Sequence, residues 1–321
     1  MSETEKKQFP LVSVIRKAVQ FLAFILINYT IFETIFQIDL SVITDLHIPY
    51  PFIQTPRSFL FNGNGGAGLM EHILHSIGSG VDNLPFLLIG ILMLLSLVLG
   101  RFTCGWLCPV GFFQDILSVF QKESRRKKMS IQADAALKQV KKWILGILLV
   151  IMIFLGFMAT FNTVQYVSWK DSIGTFLRRP MAGFSLSEFL FYTLPRMIGM
   201  GVDQLSFTAM FENGWSVFLF IFYLVIIAVS VFYPRFYCRT MCIYGAAASY
   251  VSKFSMLKFS RNPVKCVGRR DCGICEDVCP KQIRILDEPF EGFTGEGECN
   301  LCGKCSENCP YGAIELKFDF E

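Results

Sequence analysis

Charge is scarce in this chain: 17% of its 321 residues are Asp, Glu, Lys or Arg, against roughly 25% in soluble domains. Histidine is scarcer, with three residues, His47, His72 and His75. All three lie outside the long apolar runs, which argues against a bis-histidine haem inside a helical bundle. His72 and His75 are read as solvated loop residues rather than ligands of a metal or a quinone. No C-x-x-C-H stretch occurs, which excludes an attached c-type haem. There is no P-loop, and the glycines from Gly63 to Gly68 lack the strand–turn–helix context of a dinucleotide fingerprint. The chain is therefore not expected to take hydride from NADH by itself. A net charge of only +4 speaks against a nucleic-acid partner. No small-residue cleavage site follows the first apolar run, so no secretory signal is expected.

What is abundant is apolar surface: 53% hydrophobic residues, with 33 phenylalanines. Charge-free runs extend over Leu84 to Gly100, Trp143 to Phe161 and Trp215 to Pro234. Each approaches the roughly 20 residues that cross a bilayer as a helix. Ala18 to Phe32 is shorter and extends through Ile35, Phe36 and Ile38, giving a fourth span. Met181 to Val202 holds Glu188, Pro195 and Arg196 and fits an interfacial or re-entrant helix better. Lys and Arg set orientation. Residues 101–142 are rich in them, including Arg125, Arg126, Lys127 and Lys128, whereas residues 33–82 hold Arg57 alone. Lys6, Lys7, Arg16 and Lys17 add to the N-terminal side. Both termini and the middle loop are thus expected in the cytoplasm, with the chain integral to the inner (cytoplasmic) membrane.

The ends of the second and fourth runs match each other. Arg101-Phe102-x-Cys104-x-x-x-Cys108-x-x-Gly111 recurs as Arg235-Phe236-x-Cys238-x-x-x-Cys242-x-x-Gly245, and Ser118 and Phe120 continue in register with Ser252 and Phe254. Two parallel hairpins related by a pseudo-two-fold axis along the membrane normal are expected.

Twelve cysteines are present, eight of them from Cys266 onward. Cys299-x-x-Cys302-x-x-Cys305-x-x-x-Cys309-Pro310 is the bacterial ferredoxin run, in which three cysteines hold one cluster and the fourth ligates the other. Cys266-x5-Cys272-x-x-Cys275-x-x-x-Cys279-Pro280 repeats it with a lengthened first interval. The crossed pattern assigns cluster one to Cys266, Cys272, Cys275 and Cys309. Cluster two takes Cys299, Cys302, Cys305 and Cys279. Gly273 and Gly303 are expected to permit tight turns. Zinc ribbons favour two separated C-x-x-C knuckles, so three cysteines per loop plus a remote fourth favour iron–sulfur. Arg269 and Arg270, within the lengthened interval, either tune cluster one, dock a partner or are merely solvated.

Cys104 and Cys108 are spaced by one helical turn, as are Cys238 and Cys242, so each pair is expected on one helix face. Two readings stand beside plain packing: a third cluster or other metal held by all four thiolates, or two redox-active dithiols. Arg101, Arg235 and Arg239 would favour the thiolates.

Gly100-Arg101-Phe102-Thr103-Cys104-Gly105-Trp106-Leu107-Cys108-Pro109 and Arg235-Phe236-Tyr237-Cys238, followed by a two-cluster ferredoxin, resemble the NapH/NosR-type membrane ferredoxins. Arg16-Lys17-x-x-Gln20 also looks like that family's first helix. Ile243 departs from its C-x-x-x-C-P signature. The resemblance implies four spans and electron transfer between the quinone pool and a partner redox protein, as a subunit of a quinol-linked oxidoreductase. Only weak quinone candidates such as Gln20 are present. The expected architecture is an all-α transmembrane domain over 1–258 and an α+β ferredoxin domain with two 4Fe–4S clusters over 259–321. Alternatives are a cupric reductase of the same superfamily, since soft thiolates suit Cu(I), and a non-enzymatic redox sensor or assembly factor.

Overall fold

The computed structural model describes residues 11–27, 69–80, 84–119, 128–173, 181, 183–203, 205, 211 and 214–319. Lys6, Lys7, His47, Arg57, Gly63 to Gly68, the extension of the first run through Ile38, and Arg125 to Lys127 lie outside them.

The first half holds α1 (Leu11–Ile27), α2 (Leu69–Ser79), α3 (Leu84–Val98), the short α4 (Phe102–Trp106) and α5 (Pro109–Val119). The second holds α6 (Ile131–Phe161), α7 (Thr163–Ile173), α8 (Leu186–Glu188), a π turn (Phe189–Thr193) and α9 (Leu194–Asp203). It continues with α10 (Gly214–Phe232), the short α11 (Phe236–Thr240) and α12 (Ile243–Val251).

Two of these helices are long and apolar enough to cross a membrane, α6 with 31 residues and α10 with 19. A soluble core helix of that composition would be mostly buried, but only 28% and 22% of their apolar windows are. Phe154, Phe157, Phe218, Ile221 and Leu224 face outward. With α3, shorter at 15 residues, they suit a membrane protein. The helix α1 is inverted relative to a soluble amphipathic helix: it buries Arg16 and Gln20 and exposes Phe21 and Leu22.

The apolar stretch from Trp143 begins inside a longer helix. Ser130 caps α6 by accepting from the amide of Ala133, and three turns carrying Lys138, Lys141 and Lys142 precede the apolar part. The signal missed in the sequence was that N-cap serine. His72 and His75 stand on α2 rather than in a loop, His72 half-buried and His75 exposed.

The two halves pack by exchange. The helix α5 lies against α1 of its own half and α10 of the other, while α12 lies against α6 of its own half and α3 of the other. This reciprocity brings both cysteine motifs together at one end of the bundle.

The C-terminal unit opens with β1 (Leu257–Arg261), which pairs antiparallel with β2 (Ile314–Phe318), Leu257 opposite Phe318. The strand straddles the expected boundary at 258/259. Between the strands lie the short turns α13 (Gly268–Asp271), α14 (Ile274–Asp277) and α15 (Lys304–Glu307). A small core of Phe259, Ile283, Ile285, Phe293 and Ile314 includes Cys275 and Cys305.

Candidate iron–sulfur centres

The eight C-terminal cysteines line two cavities. One is walled by Cys266, Cys272, Cys275 and Cys309 with Val267, Ile274 and Ile314. The other is walled by Cys279, Cys299, Cys302 and Cys305 with Phe259, Ile285 and Phe293. The cysteine before each proline thus lies with the triplet of the other run. Its sulfur accepts a backbone N–H from four residues on: Ile283 to Cys279 Sγ at 3.4 Å and Ala313 to Cys309 Sγ at 3.3 Å. Such bonds suit thiolate sulfur, and the mostly apolar walls suit a buried inorganic core.

Lengthening the first run has a local cost in symmetry. The inserted residues form α13, and Arg269 is held by Glu276 and Asp287, each at 2.8 Å. Gly303 has φ 75 and Leu301 φ 49, whereas Gly273 has φ −154. The glycine between the second and third cysteines is therefore left-handed only in the second run; in the first run the left-handed glycine is Gly268, in the lengthened interval, and Gly273 is not demanded by backbone conformation.

The membrane cysteines do not share one helix as the spacing suggested. Cys104 lies within α4, the chain turns at Leu107, and Cys108 immediately precedes α5. In the second half Cys238 lies within α11, and Cys242 is the N-cap of α12. Cys108 and Cys242 each bond through their amide to a carbonyl five residues back, of Thr103 and Tyr237. Pro109 and Ile243 occupy the same first helical position, where the missing proline N–H has no intrahelical partner to lose.

The four thiols converge. Cys104 and Cys242 pack on one core cluster, while Cys108, Cys238 and Cys242 pack on another. Burial pushes the Cys108 thiol up, and Cys238, Cys104 and Cys242 add to the shift. Burial likewise pushes Cys242 up to about 12. Cys242 Sγ accepts from the Gly245 amide at 3.3 Å and Cys238 Sγ from Gln114 Nε2 at 3.1 Å. Gly111 and Gly245 clear this space: a Cβ at Gly111 would stand 2.9 Å from the Cys104 carbonyl, and at Gly245 2.6 Å from Arg101 Nη2. Among the described residues, no group of three or more His, Cys, Asp or Glu is arranged to hold a single metal ion. A four-iron cube sets its thiolates farther apart than one ion does.

Two buried charge clusters flank the tetrad. In the first, Asp115 binds Arg235 (2.7 and 3.0 Å) and Arg16 (2.8 Å). Gln20 joins it, donating to the Gly105 carbonyl at 2.7 Å and to Asp115 at 3.3 Å, which gives the glutamine a structural task. In the second, Glu298 binds Arg101 (2.6 Å), Lys281 (3.5 Å) and Lys141. Burial alone would raise both carboxyls. Arg235 and Arg16 outweigh it at Asp115, as do Arg101, Lys281 and Lys141 at Glu298, and both stay well below the usual range.

Arg16, Arg101, Lys141, Arg235, Arg239 and Lys281 are all 2% exposed or less, and the buried carboxylates that pair with them are Asp115, Asp134 and Glu298. Among the described residues, nitrogens of Arg16, Arg101 and Arg239 also find no acceptor. A surplus of buried cations and idle N–H groups calls for anionic neighbours. Thiolate-bound iron–sulfur clusters are such anions, so the residues fit the group. None of these charged partners except the arginines was picked out from sequence. The available signal was a lone acid, Asp115, in an otherwise uncharged stretch.

The ferredoxin unit is pressed onto this end of the bundle. Trp106 Nε1 donates to the Leu301 carbonyl at 2.9 Å, and Lys281 Nζ to the Cys238 carbonyl at 3.3 Å. A Cβ at Gly105 would lie 2.0 Å from the Asn300 carbonyl oxygen. The run carrying Cys299 and Cys302 is therefore the one beside the membrane motif. Arg235 feels both Cys238 and Cys302 electrostatically.

One 4Fe–4S binding domain model matches the membrane part twice, over residues 84–128 and 215–262, and a second matches residues 295–315. YccM of Escherichia coli, named as a candidate electron transport protein, is 28% identical over 261 residues, covering 79% of this chain and 62% of YccM. The regulatory protein NosR of Stutzerimonas stutzeri is 21% identical over 214 residues, 64% of this chain and 24% of NosR. These matches support a NapH/NosR-type 4Fe–4S family. Another of its relatives, the methylamine utilization ferredoxin-type protein MauN of Paracoccus denitrificans, is 27% identical over 222 residues, 68% of this chain and 60% of MauN. The chain thus spans less than two thirds of each of these three relatives. No solved structure matches it. The family match covers both halves of the internal repeat, so the matching cysteine motifs belong to one domain type used twice.

Proposed function

We propose that this protein is a membrane-bound electron carrier that passes electrons between the quinone pool and a partner redox protein, through three 4Fe–4S centres. Cys104, Cys108, Cys238 and Cys242 hold the centre nearest the membrane. Cys279, Cys299, Cys302 and Cys305 hold the middle one, and Cys266, Cys272, Cys275 and Cys309 the distal one. The observation that carries this reading is the contact between the Asn300–Leu301 backbone and Gly105–Trp106, which sets two cysteine groups side by side. Bound there, the clusters supply one-electron exchange. The residues supply burial, compensating charge and N–H···S bonds. The apolar runs support four spans, and the Lys and Arg distribution supports both termini on the cytoplasmic side of the inner membrane. On this topology the distal centre faces the cytoplasm and a soluble redox partner.

Iron, sulfide, zinc and copper per chain, measured after anaerobic purification in mild detergent, test the reading. About twelve irons are expected, four per cluster, falling to about eight in Cys104→Ser. About eight in the wild type would remove the membrane centre. Stoichiometric zinc with little iron would remove the electron-transfer reading altogether. Reduction of the centres by a quinol under anaerobic conditions tests the quinone step separately.

A further inference from the structure

Register between the halves aligns Arg101 with Arg235, and Asp115 with Ser249. Each arginine crosses to the other half. Arg235 reaches Asp115 and the Cys104 carbonyl, the latter at 3.3 Å, and Arg101 lies against Gly245. Arg235 finds its acid on α5. By symmetry Arg101 would find one on α12, but the aligned residue is Ser249, whose hydroxyl is turned to the Ala246 carbonyl at 2.7 Å. The acid comes instead from the ferredoxin unit, as Glu298. Even the third member is matched: Arg16 of the leading helix α1 in one cluster, Lys141 of the leading helix α6 in the other.

The neighbouring backbone is shaped for this insertion. Gly297 has φ +81, and a Cβ there would stand 2.1 Å from the Ser249 carbonyl oxygen. The Gly297 carbonyl accepts from Ser252 Oγ at 2.9 Å and from Arg101 Nη1 at 3.4 Å. Cys299, Asn300 and Leu301 follow directly.

We infer that Glu298 is a positioning residue: it fills the acid position the second half lacks and thereby fixes the run of Cys299 and Cys302 against the membrane motif. The inference rests on the proposed function for its consequence, electron exchange between the two centres, but the docking can be tested without it.

The test uses the full chain, anaerobically purified, as Glu298→Gln, as Ser249→Asp, and as both together, with Glu315→Gln as an exposed control. Backbone hydrogen exchange is followed in residues 294–301 and 102–107, alongside iron content and magnetic interaction between the reduced centres. In Glu298→Gln, exchange in both segments is expected to rise at least tenfold, and the magnetic interaction to weaken. Ser249→Asp in that background is expected to restore thermal stability by pairing Arg101, without restoring protection of 294–301. Unchanged protection in Glu298→Gln overturns the inference. So does full recovery of protection by Ser249→Asp, because the acid's attachment to the ferredoxin unit would then be immaterial. A Glu298→Gln chain too unstable to purify leaves Glu298→Asp, expected to keep the ion pair but reach less far, with protection between the two. Loss of the membrane centre in wild type, with protection of 294–301 still dependent on Glu298, would refute the functional reading and keep the positioning role.

Discussion

The two halves of the bundle agree in their sulfur and differ in their charge. Cys104 and Cys238, Cys108 and Cys242, and Gly111 and Gly245 occupy equivalent places. Around them the first half carries its own acid, Asp115, and leaves Gly105 bare so that Asn300 can approach. The second half has serine at the acid position, and at the place of Gly105 it carries Arg239, which is bound to Asp134 and to Gln282 at 2.7 Å. A duplicated motif has thus kept the geometry that gathers four thiols while its rim has diverged, so that the ferredoxin unit meets a bare glycine in one half and an arginine bound to Gln282 in the other.

The sharpest way to break this comparison is Asp115→Asn. It leaves Arg16 and Arg235 buried without their shared carboxylate, and removing one partner of a buried pair costs about 3–5 kcal/mol. The shift in unfolding midpoint in detergent reads this out. The pH dependence gives the sign. A carboxyl held low in the folded chain contributes its full stability above its unfolded value, roughly 4, and loses it as the pH falls further. The gap between wild type and Asp115→Asn should therefore narrow below about pH 4, and a gap that widened there would contradict the assignment of Asp115 as charged.

Gly105→Ala comes next. Its Cβ meets a main-chain oxygen that no rotamer change can move, so an overpacking penalty of about 1–3 kcal/mol is expected, together with faster exchange in residues 294–301. The aligned change Arg239→Ala should leave protection of that segment intact while leaving Asp134 to Lys138 alone. The smallest effect belongs to Lys128→Ala. Lys128 pairs with Asp277 at the surface, and exposed pairs contribute under about 1 kcal/mol. A larger loss would mean that this contact helps to dock the ferredoxin unit.

The sulfur frame was legible in the sequence and the charge frame was not. Cysteine spacing and the run of apolar residues follow from local chemistry: a thiolate triplet must be close in sequence, and a helix in lipid must be apolar along its length. The pairing of the four membrane thiols could be anticipated from the duplicated motif. Their placement across a helix break could not, because a spacing of four fits both one helical turn and a short helix followed by a new N-terminus. Asp115, Lys141, Lys281 and Glu298 were invisible as partners because they lie far apart in the chain. Glu298 in particular sits in a glycine-rich turn that reads as solvent-exposed, and only the fold turns it inward.

The tight seating of the run from Gly297 to Leu301 also has a consequence for biogenesis. With Trp106, Ser249 and Ser252 on one side and Val12 of α1 against Gly303 on the other, the cysteines of that run face protein once the unit is seated. On the proposed ligand set, iron must be delivered while the C-terminal unit is still detached, and seating closes the door behind it. Pulse-labelling of cysteines during synthesis, with Trp106 fluorescence following docking, would test this order: Cys299 and Cys302 should become unreactive upon iron loading before Trp106 meets Leu301, and the reverse sequence would rule it out.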